Sequence, residues 1–439
     1  MSAHLPWFSK NAVAVGAVVL SVGVLAACSS SGSSSSSTTS PSSTATGSAT
    51  AASGTPITIG ASLSLTGDFS ADGTAYDQGY KLWVADVNKA GGIDGHQVKL
   101  TILNDNSDPN QVVTNYETLI NTDHVDITFG PFSSLLTTPA SAVAARNGYA
   151  FVEGAGGAPT VFDTASNEAD HNVFDVSLPV ADEFLPFINY IKSLPAATRK
   201  SLTAAYPSAQ DPFATPPVSL AQQELQALGV KTVYSETFPE EVADYKAPAD
   251  DVAGTHADIV VLGSTDVPTV ATFMQAFEQE HYTPEYFIAA AGPDQGAAFI
   301  KAVTAGDANG MMVPDGWYPG VTNSASQAMV KEYVAEYGGT ASGVNADIAE
   351  AYSVGQVVEQ AIEATGYPVN NAAIIKYLHS GVTLTSVQGP VKFDALGENA
   401  LSDAYVFQWQ KGGTVFNQVL PVGDSLSQPI AKKSQWTSS

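Results

Sequence analysis

The sequence predicts an α/β protein built as two lobes, each a parallel sheet doubly wound with helices. Two observations carry this. From Pro56 onward, short β-rich runs alternate with helical patterns, the rhythm of a parallel sheet covered on both faces. The rhythm then restarts near Ser201, so about 385 folded residues divide into two similar halves.

In the first half, Ile57 to Leu63 reads as a strand and Ala75 to Asn88 as a helix. Val98 to Leu103 is the next strand. Asp108-Pro109-Asn110-Gln111 has the form of a helix start, with Asp108 as cap, Pro109 first in the helix and Gln111 completing a capping box. Val125 to Phe129 and Tyr149 to Val152 are strands, with Leu135 to Arg146 helical between them. After the restart come strands at Ser201 to Tyr206, Thr232 to Glu236, Ile259 to Leu262, Tyr286 to Ala289 and Met311 to Val313. Helices at Pro217 to Leu228 and Val267 to Gln279 separate some of them. Three helical patterns follow, Ser324 to Tyr337, Asp347 to Ala364 and Asn371 to Leu378. The chain closes on β-rich runs at Val391 to Phe393, Ala404 to Gln410 and Thr414 to Val419.

The N-terminus is of another kind. Asn11 to Ala27 is apolar or small throughout, too short to span a bilayer, and Leu25-Ala26-Ala27-Cys28 ends it with the only cysteine of the chain. This resembles a bacterial lipoprotein signal. It implies a signal peptide over residues 1–27 and an acylated Cys28 as the mature N-terminus. Residues 28–55, mostly Ser, Thr, Ala and Gly, then form a flexible tether. The expected location is the outer face of the bacterial cell membrane, held by lipid.

Composition narrows the partners. Seventeen basic against 43 acidic residues give a net charge of −26, which repels nucleic acid and gains nothing from anionic lipid headgroups. Only 14% of residues are charged and 44% are apolar, enough for substantial cores. One cysteine allows no internal disulfide.

The search for chemistry yields little. His96, His124, His171, His256, His281 and His379 are not spaced as metal ligands. Ser133-Ser134 lacks the glycine frame of a hydrolase nucleophile. Gly154-Ala155-Gly156-Gly157 lacks a phosphate-loop lysine. Asp105, Ser107 and Asp108 are better explained by helix capping than by calcium. No enzyme, metal or cofactor is expected. What is left is a set of strand-to-helix loops able to line a cleft. Phe129 to Ser134 ends a strand and opens a helix whose free amides and hydroxyls attract an anion, or whose serine simply caps it.

At these residues the chain resembles the leucine/isoleucine/valine-binding proteins of ABC importers. The likeness runs through Leu65-Thr66-Gly67, Asn88-Lys89-Ala90-Gly91-Gly92-Ile93-Asp94-Gly95 and Asn104 to Pro109. It continues through Gly130-Pro131-Phe132-Ser133-Ser134, Gly292-Pro293-Asp294, Trp317-Tyr318-Pro319 and Gln388-Gly389-Pro390-Val391-Lys392-Phe393-Asp394. The resemblance implies a type I periplasmic-binding fold, two lobes joined by three hinge crossings that close on a small ligand. Lobe 1 is expected at 56–178 plus 316–387, lobe 2 at 179–315 plus 388–422, and a flexible tail at 423–439.

It also implies a site. Ser133 or Ser134 would hold a ligand carboxylate, and Ala155-Gly156-Gly157 would supply a backbone carbonyl. Gly157 stands where the family usually has a hydroxyl, Phe213 where it has a tyrosine, and Asp72 where leucine binders carry an aromatic. Asp294 matches an acidic position able to pair with a ligand ammonium, and Asp266 is expected to face the same cleft. The expected function is a monomeric receptor that passes an amino acid or related polar solute to ABC permease subunits. A ligand sensor for a signalling partner, or a receptor for urea, amides or aromatic acids, is the alternative.

Overall fold

A computed structural model describes residues 54–162, 171–239, 245–321, 323–424 and 426–437. The expected signal peptide, Cys28 and nearly all of the tether lie outside the described residues.

The first sheet contains β1 (Ile57–Leu63), β2 (Val98–Asn104), β3 (Ile127–Phe129), β4 (Phe151–Glu153) and β5 (Val173–Asp175). They run parallel in the order β2-β1-β3-β4-β5. The second sheet contains β6 (Thr203–Ala209), β7 (Lys231–Phe238), β8 (Ile259–Leu262), β9 (Tyr286–Ala289) and β10 (Met311–Asp315). A hairpin of β11 (Leu384–Ser386) and β12 (Gly389–Val391) stands apart, and β13 (Tyr405–Gln410) and β14 (Val415–Leu420) complete the second sheet. Its order is β14-β13-β10-β9-β8-β6-β7, so β6 to β10 repeat the first sheet's arrangement and the last two strands extend it antiparallel.

The central strands of each sheet are buried on both faces, as near-continuous apolar strands require. In the first lobe Tyr80, Trp83, Val354 and Val358 belong to one core, and Tyr116, Leu136, Val143 and Phe162 to the other. The two cores of the second lobe centre on Phe273, Phe277 and Phe287, and on Phe187, Leu225 and Ile288. Helix Ser70–Ala90 lies against helix Ala346–Thr365 at close range, because Gly355 leaves room for Trp83; a Cβ there would meet its ring at 2.1 Å.

Local chemistry explains several boundaries. Asp108 caps helix Pro109–Asn121 by accepting from the Asn110 and Gln111 amides, as expected. No capping box forms, since the Gln111 side chain bonds Asn115 instead. The first helix begins at Ser70, more than a turn before the expected Ala75, and this carries Asp72 into its first turn.

The chain crosses between lobes three times. Val180 packs in the first lobe and Phe184 in the second; β10 leads to Trp317 in the first; Phe393 leads back to Val406 in the second. The boundary expected at 387/388 therefore falls after Phe393, because Val391 and Phe393 belong to the first core. The end of the chain is also not a free tail up to Thr437. Trp436 donates its indole N–H to the Tyr282 carbonyl at 2.6 Å, and Thr437 bonds Asp307 through its amide and hydroxyl, each at 2.8 Å. Buried Lys433 lies 4.0 Å from the Trp436 ring centre.

The third crossing is pinned where Gly397 meets the edge strand β5. Gly397 accepts from the Asp175 amide at 2.9 Å. Its φ is +103°, and a Cβ would lie 2.0 Å from the Val173 carbonyl oxygen. Gly397→Ala is expected to destabilise the protein by more than about 1 kcal/mol, read as a lowered midpoint in urea unfolding. An unchanged midpoint would show that this crossing is not held against β5.

Candidate functional site

In open α/β sheets the strand order reverses at a point where neighbouring loops diverge, leaving a crevice at the carboxyl ends of the strands. Here the order reverses between β1 and β3 in one sheet and between β6 and β8 in the other. The two crevices face one another across a cavity of about 90 Å³ lined by both lobes. Since about 10–15 Å³ admits one water, this holds a small solute or several waters.

The lining is acidic. The first lobe and first crossing supply Asp72, Asp175, Glu183, Asp347 and Glu350, and the second lobe supplies Asp294 and Asp315. None of the described lining residues is Lys, Arg or His. Apolar contacts come from Phe132, Leu178, Val180, Phe213, Ala290 and Ala291.

Each acid is placed by a local feature. Asp347 and Glu350 lie one turn apart at the start of helix Ala346–Thr365, and therefore on one face. Glu350 accepts from the Tyr76 hydroxyl at 2.7 Å. Asp175 ends β5, and its second oxygen has no partner among the described residues. Asp294 follows β9, where the Gly292 amide donates to it at 2.7 Å. Gln295 ties the lobes together. Its side-chain amide donates to Asp294 at 2.9 Å and to Asp347 at 2.7 Å, and its oxygen accepts from Asn345 at 3.0 Å. Carboxylate oxygens of Asp72, Asp294 and Asp347 all lie within 4.8 Å of one another, close enough to share one cation.

Burial and mutual repulsion raise these groups above the ordinary carboxylate range. Burial is the main cause for Asp347, pushed up to about 8, with Asp294 next. Asp175 is pushed up to about 7, again chiefly by burial. Asp72, Glu183, Asp315 and Glu350 are raised well above their usual values, by burial first and then by neighbouring carboxylates. Asp294 is raised as well.

A family model described as "Periplasmic binding protein" matches residues 56–414. The chain belongs to the periplasmic binding protein family. Among curated relatives, Leu/Ile/Val-binding protein homolog 7 of Brucella abortus (strain 2308) is 26% identical over 371 residues, covering 80% of this chain and 87% of that one. The isoleucine complex of the Streptococcus pneumoniae branched-chain amino acid transporter substrate-binding protein LivJ has a TM-score of 0.68 at 20% identity, over 83% of this chain and 100% of that one. A benzoate complex of a solute-binding protein of an ABC transporter from R. palustris also has a TM-score of 0.68, at 17% identity, over 88% and 98%. At these identities the solved structures show the fold: this periplasmic binding protein has the type I architecture, two α/β lobes with three crossings.

The residues expected at the site fall into two groups. Asp72, Ser133, Ala155, Gly157, Phe213 and Asp294 line the cavity. Ser134, Gly156 and Asp266 do not. Ser134 is the first residue of its helix and donates to the Ala155 carbonyl at 3.4 Å, while Ser133 holds the cap position. The Gly156 amide, like that of Ala155, is bound by Glu153. Asp266 caps helix Val267–Gln279 by accepting from the Thr269 amide at 2.8 Å. Position 157 is crowded for a hydroxyl-bearing residue, since a Cβ would lie 2.9 Å from an Asp175 carboxylate oxygen and 3.0 Å from the Leu178 carbonyl oxygen. Phe213 is positioned by Asp211, which accepts from the Phe213 amide at 2.6 Å.

Asp175, Glu183, Asp315, Asp347 and Glu350 were not anticipated. Asp347 and Glu350 are the second and fifth residues of helix Ala346–Thr365, with nothing local to mark them as cavity residues. Asp175 and Asp315 end strands at hinge crossings, which was the one available signal.

The raised acids give a stability prediction. In the unfolded chain they ionise near 4, whereas folded Asp175 and Asp347 keep protons until about 7 and about 8. The folded form then binds more protons over that window, so ligand-free stability falls as pH rises from about 4 to about 8 and flattens above. Thermal unfolding of the ligand-free protein should give a lower midpoint at pH 8 than at pH 5.5. Asp347→Asn should flatten that dependence and raise the midpoint at pH 8; a lowered midpoint at pH 8 would mean that Asp347 is stabilised as an anion.

Proposed function

We propose that this protein is the extracytoplasmic receptor of an ABC importer, tethered through acylated Cys28, which captures a small amine-bearing solute by closing two lobes over it. The observation that carries this is the convergence of Asp72 and Asp347 from one lobe with Asp294 from the other, within reach of a single ammonium group. A ligand nitrogen at that point would be bound only when the lobes meet, so binding and closure are one event. Closure supplies the form that permease subunits would recognise.

The family resemblance, the Leu/Ile/Val-binding relative and the isoleucine-bound neighbour favour an amino acid or a close derivative. The ammonium would sit among Asp72, Asp294 and Asp347. Ser133, whose hydroxyl is buried with no partner among the described residues, would meet the polar end beside Ala155 and Gly157. Phe213 would cover the aliphatic part. Ser134 and Asp266 serve the fold, each bonded to its own surroundings. An aromatic acid such as benzoate, bound by one structural neighbour, is disfavoured by charge, since it would place an anion among carboxylates.

The test is thermal unfolding of the protein, refolded to strip carried-over ligand, against amino acids, amines, urea, amides and aromatic acids. A ligand at a hundred times its dissociation constant adds about 2.7 kcal/mol of stability. Stabilisation by amine-bearing compounds, weakened by about 1.5–3 kcal/mol in Asp294→Asn, is expected. Stabilisation by benzoate or urea with none from any amine would contradict the ammonium site.

A further inference from the structure

We infer that the ligand carries two protonated nitrogens joined by an aliphatic chain, a diamine or short polyamine, with its second nitrogen held by Asp175 and Glu183. This rests on the two-lobe receptor and ammonium site proposed above, and it narrows the amine-bearing solute to a dication in place of the amino acid that the relatives favour.

One ammonium satisfies one cluster. Carboxylate oxygens of Asp72, Asp294 and Asp347 lie within 4.8 Å of one another, and Gln295 already donates to two of these groups. Of the four other lining acids, Asp315 accepts from the Trp317 amide and Glu350 from the Tyr76 hydroxyl, which leaves Asp175 and Glu183. Asp175 is fully buried and Glu183 is 8% exposed, and each has a carboxylate oxygen with no partner among the described residues. Both line the cavity. An unpartnered buried carboxylate oxygen costs more than almost any other polar group, so two at one cavity wall mark the place of an absent donor. A zwitterion would bring one positive charge and one negative charge into this acidic space. A dication brings a donor to each cluster.

The rest of the lining fits the link between nitrogens. Phe132, Leu178, Val180 and Phe213 offer apolar surface suited to methylene groups. The same surface argues against a divalent metal, which takes six or more oxygens at about 2.3–2.6 Å or keeps its own waters.

Titration calorimetry on the refolded protein decides the matter with five probes: 1,4-diaminobutane, spermidine, n-butylamine, leucine and calcium chloride. A diamine or spermidine should bind at least tenfold more tightly than butylamine. The double variant Asp175→Asn/Glu183→Gln should lose that advantage while keeping butylamine affinity within about twofold of the parent. Asp294→Asn should weaken diamine and butylamine alike. Because the double variant removes buried like charges, its unfolding midpoint at pH 8 should be no lower than the parent's, which separates loss of binding from loss of fold. Leucine binding without diamine or spermidine binding would overturn the inference and leave the receptor reading standing. Calcium binding without any amine would overturn both the dication and the ammonium site. Equal affinity for butylamine and diaminobutane would overturn the second-nitrogen site alone.

Discussion

Like charges crowded into a small buried space cannot all ionise, and this constraint governs the cavity between the lobes. Asp72, Asp175, Glu183, Asp294, Asp315, Asp347 and Glu350 line one volume of about 90 Å³, and no basic side chain stands among its described lining residues. Burial is the largest cause for each, and neighbouring carboxylates add to it for Asp72, Glu183, Asp315, Asp347 and Glu350. Without a cation, the folded protein can hold them only by keeping protons on several. Protonated carboxyls tolerate burial but forfeit charge-assisted bonds, so the site is unfavourable by itself. A ligand amine exchanges those protons for ion pairs in a space where Coulomb attraction is strong. The fold thus spends stability on a site that a suitable solute repays.

The architecture makes that possible. Two sheets with the same strand order present their crevices to each other, and three crossings fix where they meet. Gln295 spans the gap to Asp347 and Asn345, and Phe213 packs against cores of both lobes. The site is therefore split between bodies that must come together to complete it. Glycines hold the frame where side chains would not fit, at Gly355 beneath Trp83 and at Gly397 against β5.

The fold was legible because its signals are local. The Ile57 to Leu63 run, the Asp108-Pro109 helix start and the restart near Ser201 all name elements that the structure contains. The lobe boundary at the third crossing was misplaced because Val391 and Phe393 carry no mark of which core they enter. The site was half legible. Asp72, Ser133, Gly157, Phe213 and Asp294 follow from the family resemblance, and all five line the cavity. Asp266 is suggested by its place on the loop after Ile259 to Leu262 and Ser134 by the resemblance, but a buried cap and a bond to the neighbouring loop account for them. Asp175, Glu183, Asp347 and Glu350 could not be found, because what unites them is convergence of a strand end, a hinge and a helix start far apart in the chain.

The central claim is that carboxyl groups in the cavity are protonated near neutrality until a cation enters. Carbon-detected NMR titration of the Asp and Glu side-chain carboxyls of the ligand-free protein tests this directly. The account predicts signals assigned to Asp175 and Asp347 that titrate near 7 and 8 and shift to their ionised positions when the amine binds. Carboxyl groups that all titrate below about 5 in the ligand-free protein, within the ordinary range, would contradict it.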